Sequence, residues 1–331
     1  MTLHRRWAAL ILAAVICLSW ASLSFSQEHV DVKGFPPLTE AGFLPEGEKE
    51  FVFINADEGL WLYASQEYRI QITRHVQEKP RMRWLTAEII VKDGAAPFRM
   101  YSHDHGNILK DRAKYYEKPV NIAKNHNLVF SMDGDYFIYR LSASNRSKYR
   151  QAVGVAIRQG EILVDIPASE KRNTYPPLDM LALFPDGDMR VYKAREKTAQ
   201  ELADLGAMDV LSFGPYLIRD GQINISYVYY GTTPQPRAAI GMVKKGHYFA
   251  VIVEGRIRPS VGMTCMELSG LMADLGCTTA FNLDGGWTSA MVFMGKQLNQ
   301  LDNTGIKDNA REQNEVMGIG HTDAYQALDL P

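Results

Sequence analysis

The residues best suited to chemistry fall in one short run, Phe281-Asn282-Leu283-Asp284-Gly285-Gly286. An apolar stretch leads into a carboxylate, and two glycines follow at once. Glycine adopts backbone conformations closed to other residues, and successive N–H groups at such a turn can converge on one anion. Thr288 and Ser289 add hydroxyls beside it. A carboxylate held at the end of a strand, as Asp284 would be, suits acid–base or nucleophilic work. Gly285, Gly286, Thr288 and Ser289 are then candidate substrate-binding positions. The competing account is an ordinary hairpin, because Asp-Gly is a strong turn signal by itself.

A second acidic turn, Met132-Asp133-Gly134-Asp135-Tyr136-Phe137, follows the apolar run Leu128-Val129-Phe130. Carboxylates two residues apart on an extended segment point the same way, so Asp133 and Asp135 could share a proton, a metal or a polar substrate. Arg237 lies in Pro234-Gln235-Pro236-Arg237-Ala238-Ala239-Ile240-Gly241. Its guanidinium suits bidentate recognition of phosphate or carboxylate, with a structural salt bridge as the alternative. Glu254-Gly255 precedes Arg256 and Arg258, a charged cluster that reads as a solvated loop. His103-Asp104-His105 would need a further ligand from elsewhere to hold a metal, and a solvated loop is the plainer reading.

These groups need elements to hold them. Tyr68 to Thr73 alternates apolar and polar, the mark of a half-buried strand, and Ala87 to Val91 is another. Pro119 to Asn127 reads as a short helix with Pro in its first turn. Val153 to Ile157, Leu181 to Phe184 and Tyr216 to Ile218 each run into a Gln-Gly or Asp-Gly turn. Lys197 to Leu205 is a helix candidate. Ala238 to Met242 and Tyr248 to Val253 read as paired strands. Thr264 with Glu267 forms a capping-box pattern for a helix that Gly276 stops. Thr278 to Leu283 reads as a buried strand, with Ala290 to Met294 as its continuation after a turn. The fold class expected is α+β, a mixed, hairpin-rich sheet core with a few flanking helices.

The whole chain sets the context. In 331 residues, 36 basic against 38 acidic side chains leave no basic excess, which argues against a nucleic-acid partner. No P-loop, dinucleotide fingerprint or zinc-ligand cysteine spacing is present, so no cofactor is expected. Residues 1–26 have the layout of a secretory signal, with Arg5 and Arg6 before an apolar stretch and small residues near Ser26. Left uncleaved, residues 7–25 would be a membrane tether. The expected location is periplasmic or secreted, or anchored facing outward. Residues 27–59, rich in Gly and Pro, read as an irregular arm, 60–322 as a catalytic domain and 323–331 as a tail. Cys265 and Cys277 bracket the capped helix. Its 12-residue span is ~18 Å long, too far for a disulfide.

Taken in order, these motifs resemble the phosphodiester glycosidase family, the family of the enzyme that uncovers mannose 6-phosphate and of bacterial proteins linked to exopolysaccharide. The run Ser260-Val261-Gly262-Met263-Thr264, the helix after it and Ala280 to Gly286 carry the closest likeness. Pro236 to Gly241, Ser212 to Leu217 with Asp220-Gly221, and Ser131 to Phe137 add to it. Three positions depart from the family pattern: Trp287 replaces a third glycine, Asp133 an asparagine, and Glu254 an aspartate before Gly-Arg. The resemblance implies hydrolysis of the bond between a sugar anomeric carbon and a phosphodiester, with a glycan or sugar phosphate as substrate. It implies a catalytic role for Asp284, Arg237 at the phosphate, and Asp135 or Glu254 as second carboxylate. The alternative is a non-catalytic envelope protein that binds glycans, which Asp133 and Trp287 favour by altering the pocket.

Overall fold

Short strands, many of them buried along their whole length, form three antiparallel sheets. The computed structural model describes residues 34–102, 116–135, 154–166, 177–226 and 231–326, which belong to one compact unit beginning at Gly34. Residues 1–26, the residues beyond 326, His103-Asp104-His105 and Tyr136-Phe137 lie outside the described residues.

The first sheet has nine strands. Its first half is a meander of β1 (Phe51–Asn55), β2 (Leu60–Ala64), β3 (Tyr68–Glu78) and β4 (Arg81–Val91). Strand β1 pairs with β2, so pairing begins inside the stretch read as an irregular arm. The third sheet takes β5 (Arg99–Ser102) and β6 (Leu128–Asp133), and the second takes β7 (Gly154–Arg158), β8 (Glu161–Ile166), β9 (Asp179–Leu183), β10 (Met189–Tyr192) and β11 (Asp209–Phe213). The chain then returns to the first sheet with β12 (Tyr216–Arg219), β13 (Gln222–Ile223), β14 (Arg237–Lys244), β15 (His247–Val253) and β16 (Thr279–Leu283). It ends in the third with β17 (Met291–Phe293), β18 (Lys296–Gln297) and β19 (Glu315–His321). The spatial order of the first sheet is β1-β2-β3-β4-β15-β14-β16-β12-β13. The fold is therefore α+β, rich in sheet, with three α-helices among the described residues.

Alternate residues of each strand serve different cores. Ile240, Ile252 and Phe281 of the first sheet, Leu181 and Phe213 of the second, and Phe130 and Met317 of the third share one apolar cluster. Their strand neighbours Ala239, Val251 and Ala280 join Leu268 and Met272 of α3 (Cys265–Asp274). In the second sheet Met180 and Val210 pack with Leu202 of α2 (Ala199–Asp204), and in the third Val292 and Val316 pack with Ile122 of α1 (Pro119–Asn125). Each sheet thus carries one helix on one face and gives its other face to the common core.

Helix α3 starts with the expected capping box. Thr264 Oγ1 accepts from Glu267 N at 3.1 Å, and Glu267 Oε2 accepts from Thr264 N at 2.7 Å, which satisfies two amides that the helix leaves open. Cys265 and Cys277 are free and buried. The segment after Asp284 does not continue strand β16. Strand β17 leaves for the third sheet and pairs with β6, Met291 opposite Met132. An ordinary hairpin at Asp284-Gly285 is thereby excluded, because the two flanking strands are not partners.

Candidate active site

Three of the candidate residues stand at neighbouring strand ends of the first sheet. In the register Ala238 opposes both Ile252 of β15 and Leu283 of β16, and Arg237 opposes Val253. Glu254 and Asp284 therefore follow the last residues of the two strands that flank Arg237. The rigid central strands bring these residues to one edge of the sheet.

Glycines let the loops at that edge close on one segment. A Cβ on Gly285 would lie 2.4 Å from Pro236 O, one on Gly255 2.7 Å from Pro236 N, and one on Gly262 2.4 Å from the Gln235 carbonyl. Real Cβ atoms do not come so near, so the three turns grip the Gln235-Pro236 backbone only because they lack side chains there. Gly286, at φ +68°, carries the chain into a single 3₁₀ turn, Gly286–Thr288. Its N–H donates to Pro236 O at 3.3 Å.

Asp284 is half-buried and accepts a hydrogen bond from Thr288 Oγ1 at 3.1 Å. Behind it lies Asp133 at the end of β6, with no exposed surface. Asp133 Oδ1 accepts from Ala290 N at 3.2 Å, while Oδ2 has no hydrogen-bond partner among the described residues. Burial pushes this carboxyl well above the usual carboxylate range; the Ala290 N–H opposes the rise and the Asp284 charge adds to it. These surroundings favour the neutral form of Asp133. Ser289 Oγ and Gln313 Oε1 are also buried without partners among the described residues. Gln313 Nε2 donates to Thr288 O at 2.9 Å, which puts it against the same turn. Orphaned polar atoms gathered at one place mark a site built for something other than stability.

The remaining candidates are placed differently. Arg237 is buried, with Nε donating to Met263 O at 3.0 Å and Nη2 to Thr233 O at 2.9 Å. Gly134 packs against Met100 and the Glu315 carbonyl. Glu254 accepts from Gln300 N through Oε1 at 2.7 Å. Burial raises its carboxyl, and the charges of Arg83 and Arg74 pull against that. Asp135 Oδ2 accepts from Arg158 Nη2 at 2.7 Å. Trp287 is 43% exposed.

Arg158 and Glu315 were not singled out in the sequence, yet they organise the site from behind. Arg158 is buried at the end of β7. It gives Nε to Glu315 Oε2 at 2.8 Å, Nη1 to the carbonyls of Ile157 and Val210, and Nη2 to Asp135 and Glu315. Burial works against its charge, but the Glu315 and Asp135 carboxylates outweigh that and raise it further. This fork ties the second sheet to the third just where Asp133 ends β6. No spacing could have announced it, since Glu315 lies 157 residues away. Arg256 was read as part of a solvated loop. It is exposed, but its Nη1 lies 3.3 Å from where a Cβ on Gly286 would be, and its Nε donates to Gln235 Oε1 at 2.7 Å. The Gly-Arg pair after Glu254 was the signal that could have found it.

The family model for phosphodiester glycosidases matches residues 126–319, more than half of the 331-residue chain. The chain belongs to the phosphodiester glycosidase family. The match spans β6, the strap at Arg237, the turn at Asp284 and Glu315. Among curated proteins, the chain is 30% identical over 170 residues to the SPbeta prophage-derived uncharacterized protein YomE of Bacillus subtilis (strain 168). That alignment covers 50% of this chain and 25% of the relative, so the chain spans about a quarter of the relative's length. Among solved structures, the fold is similar to the zebrafish N-acetylglucosamine-1-phosphodiester alpha-N-acetylglucosaminidase catalytic domain auto-inhibited by its pro-peptide. The TM-score is 0.57 at 17% identity, over 77% of this chain and 83% of that one. A hypothetical protein from Synechocystis is similar with a TM-score of 0.50 at 12% identity, over 77% of this chain and 62% of that one. At such identities the structural likeness is one of fold.

Proposed function

We infer that this phosphodiester glycosidase hydrolyses a sugar-1-phosphodiester linkage in an envelope or extracellular glycan, with Asp284 as its central carboxylate. The observation that carries the reading is the pairing of Asp284, half-buried at a glycine turn, with the wholly buried Asp133 behind it. A buried carboxyl whose surroundings favour its neutral form, set beside a half-buried one, is a usual basis for assigning separate acid and base roles. The zebrafish domain, named for a sugar-1-phosphodiester substrate, supports the substrate class, and the leader-like residues 1–26 support export.

A phosphodiester leaving group departs as a stable anion, so it needs electrostatic help more than a strong acid. In this reading Arg256 beside Gly286 meets the phosphate, and Arg237 holds the strap from which the turn hangs. Asp284 stabilises the oxocarbenium-like centre or activates water. Asp133, its neutral form favoured by burial, serves as a hydrogen-bonding group in place of the family's asparagine. Asp135, engaged by Arg158, positions the end of β6, and Glu254 stays the candidate second carboxylate. The test is a panel of sugar-1-phosphodiesters incubated with the protein. Free sugar should appear and Arg256→Gln should raise KM about tenfold or more, as loss of a charged hydrogen bond does. Trp287 favours the second reading, a glycan-binding protein, because an exposed aromatic ring suits stacking on sugar. Binding of the panel with no sugar released would support that reading instead.

A further inference from the structure

A cavity lies on the other side of strand β17 from Asp133. It measures about 330 Å³ and is walled by β1, β2, β3 and the segment from Phe293 to Asp308, within the range of roughly 300–1,000 Å³ that small-molecule pockets occupy. Three cations line it, Arg74 from β3 and Lys296 and Lys307 from the later segment, against one carboxylate, Asp308. Asp308 Oδ1 already accepts from Gln297 N at 2.9 Å. Between the charges the wall is apolar, with Trp61, Phe293 and Ile306.

The pocket is held in shape by its own hydrogen bonds. Arg74 is fixed over the Trp61 ring, 5.1 Å from its centroid, and its Nη1 donates to Ala56 O at 3.0 Å. The outer loop is braced by Asp302, which accepts from Thr304 N at 2.8 Å and from Asn309 Nδ2 at 2.9 Å. Gln297 bridges the loop's two ends, accepting from Ala310 N and donating to Asn299 O. A cationic, preformed pocket loses little ordering entropy when a ligand enters. Two lining residues also reach the candidate site, for Gln300 N donates to Glu254 Oε1 at 2.7 Å and Asn299 Nδ2 to Ser289 O at 3.1 Å.

We propose that this pocket binds a phosphorylated small molecule with one ring-sized apolar body. The cations would take the phosphate, where the guanidinium of Arg74 offers a planar fork and the lysines point charges, and the ring would lie among Trp61, Phe293 and Ile306. The pocket adjoins the candidate site through Asn299 and Gln300 but does not include Asp284 or Arg256, and its test does not depend on turnover.

Phenyl phosphate is the probe, titrated calorimetrically into the full-length protein, with inorganic phosphate and phenol as its two halves. Saturable binding of phenyl phosphate is expected, with each half weaker by about tenfold or more, since each forfeits one set of contacts. Lys307→Gln, a change on the exposed loop, and Arg74→Gln should each weaken phenyl phosphate by about tenfold. Arg256→Gln, beside Gly286, should leave this affinity unchanged. Absence of binding overturns the proposal. So does binding that Lys307→Gln and Arg74→Gln leave intact, or that Arg256→Gln removes.

Discussion

Asp133 is a carboxyl whose ionisation is opposed twice, by burial and by the charge of Asp284. Its folded-state value is raised, so the stability it contributes is complete below the ordinary value of 3.8 and is lost as pH rises toward the folded-state value. Within that window the protein should lose up to about 1.4 kcal/mol per pH unit through this group alone. Asp133→Asn keeps the shape and removes the titration. The difference in melting temperature between the variant and its parent should therefore move in the variant's favour as pH is raised from about 4, measured by calorimetry across the pH series. A difference that stays flat, or moves the other way, would show that Asp133 is ionised in the fold. The sequence told that Asp133 and Asp135 share a turn, and that a neutral residue is usual at 133. It did not reveal that burial raises one carboxyl while the other meets an arginine. That difference comes from contacts with Ala290, Asp284 and Arg158, each remote in the chain.

At the scale of elements, the Arg158 fork joins β7 of the second sheet to β19 of the third and to the acidic turn after β6. Removing one member of a buried charge cluster leaves the others without compensation, at a cost of about 3–5 kcal/mol. Arg158→Met should lower the urea midpoint accordingly, and further replacement of Asp135 and Glu315 by Leu should restore much of the loss. A midpoint unchanged in the single variant would mean that the sheets are held without the fork. The strands with alternating apolar residues, such as Tyr68 to Thr73, and the capped helix at Thr264 were legible because their signals are local. Strand β19 and the pairing of β17 with β6 were not, because pairing partners are chosen by the shared core and not by neighbours in sequence. That is also why Ala290 to Met294 read as a continuation of β16: the turn at Gly286 sends the chain to another sheet, and only the tertiary contacts decide which.

For the whole molecule, three sheets share one apolar core, and the first and third bring their strand ends together at Asp284. The family was legible because its motifs are the turns that close on Gln235-Pro236, where glycine is required by contact at 255, 262 and 285. The residues around the turn were less so, since Arg256 and Gln313 reach it from loops that carry little pattern of their own. The central claim is that this assembly is a hydrolase working through Asp284. It is tested most directly by measuring sugar release from a sugar-1-phosphodiester, at saturating substrate, by the parent and by Asp284→Asn. The variant should bind the substrate and melt as the parent does while its kcat falls by about 10²–10⁴-fold, the usual contribution of a positioned carboxylate. A variant that releases sugar at nearly the parental rate would contradict the account.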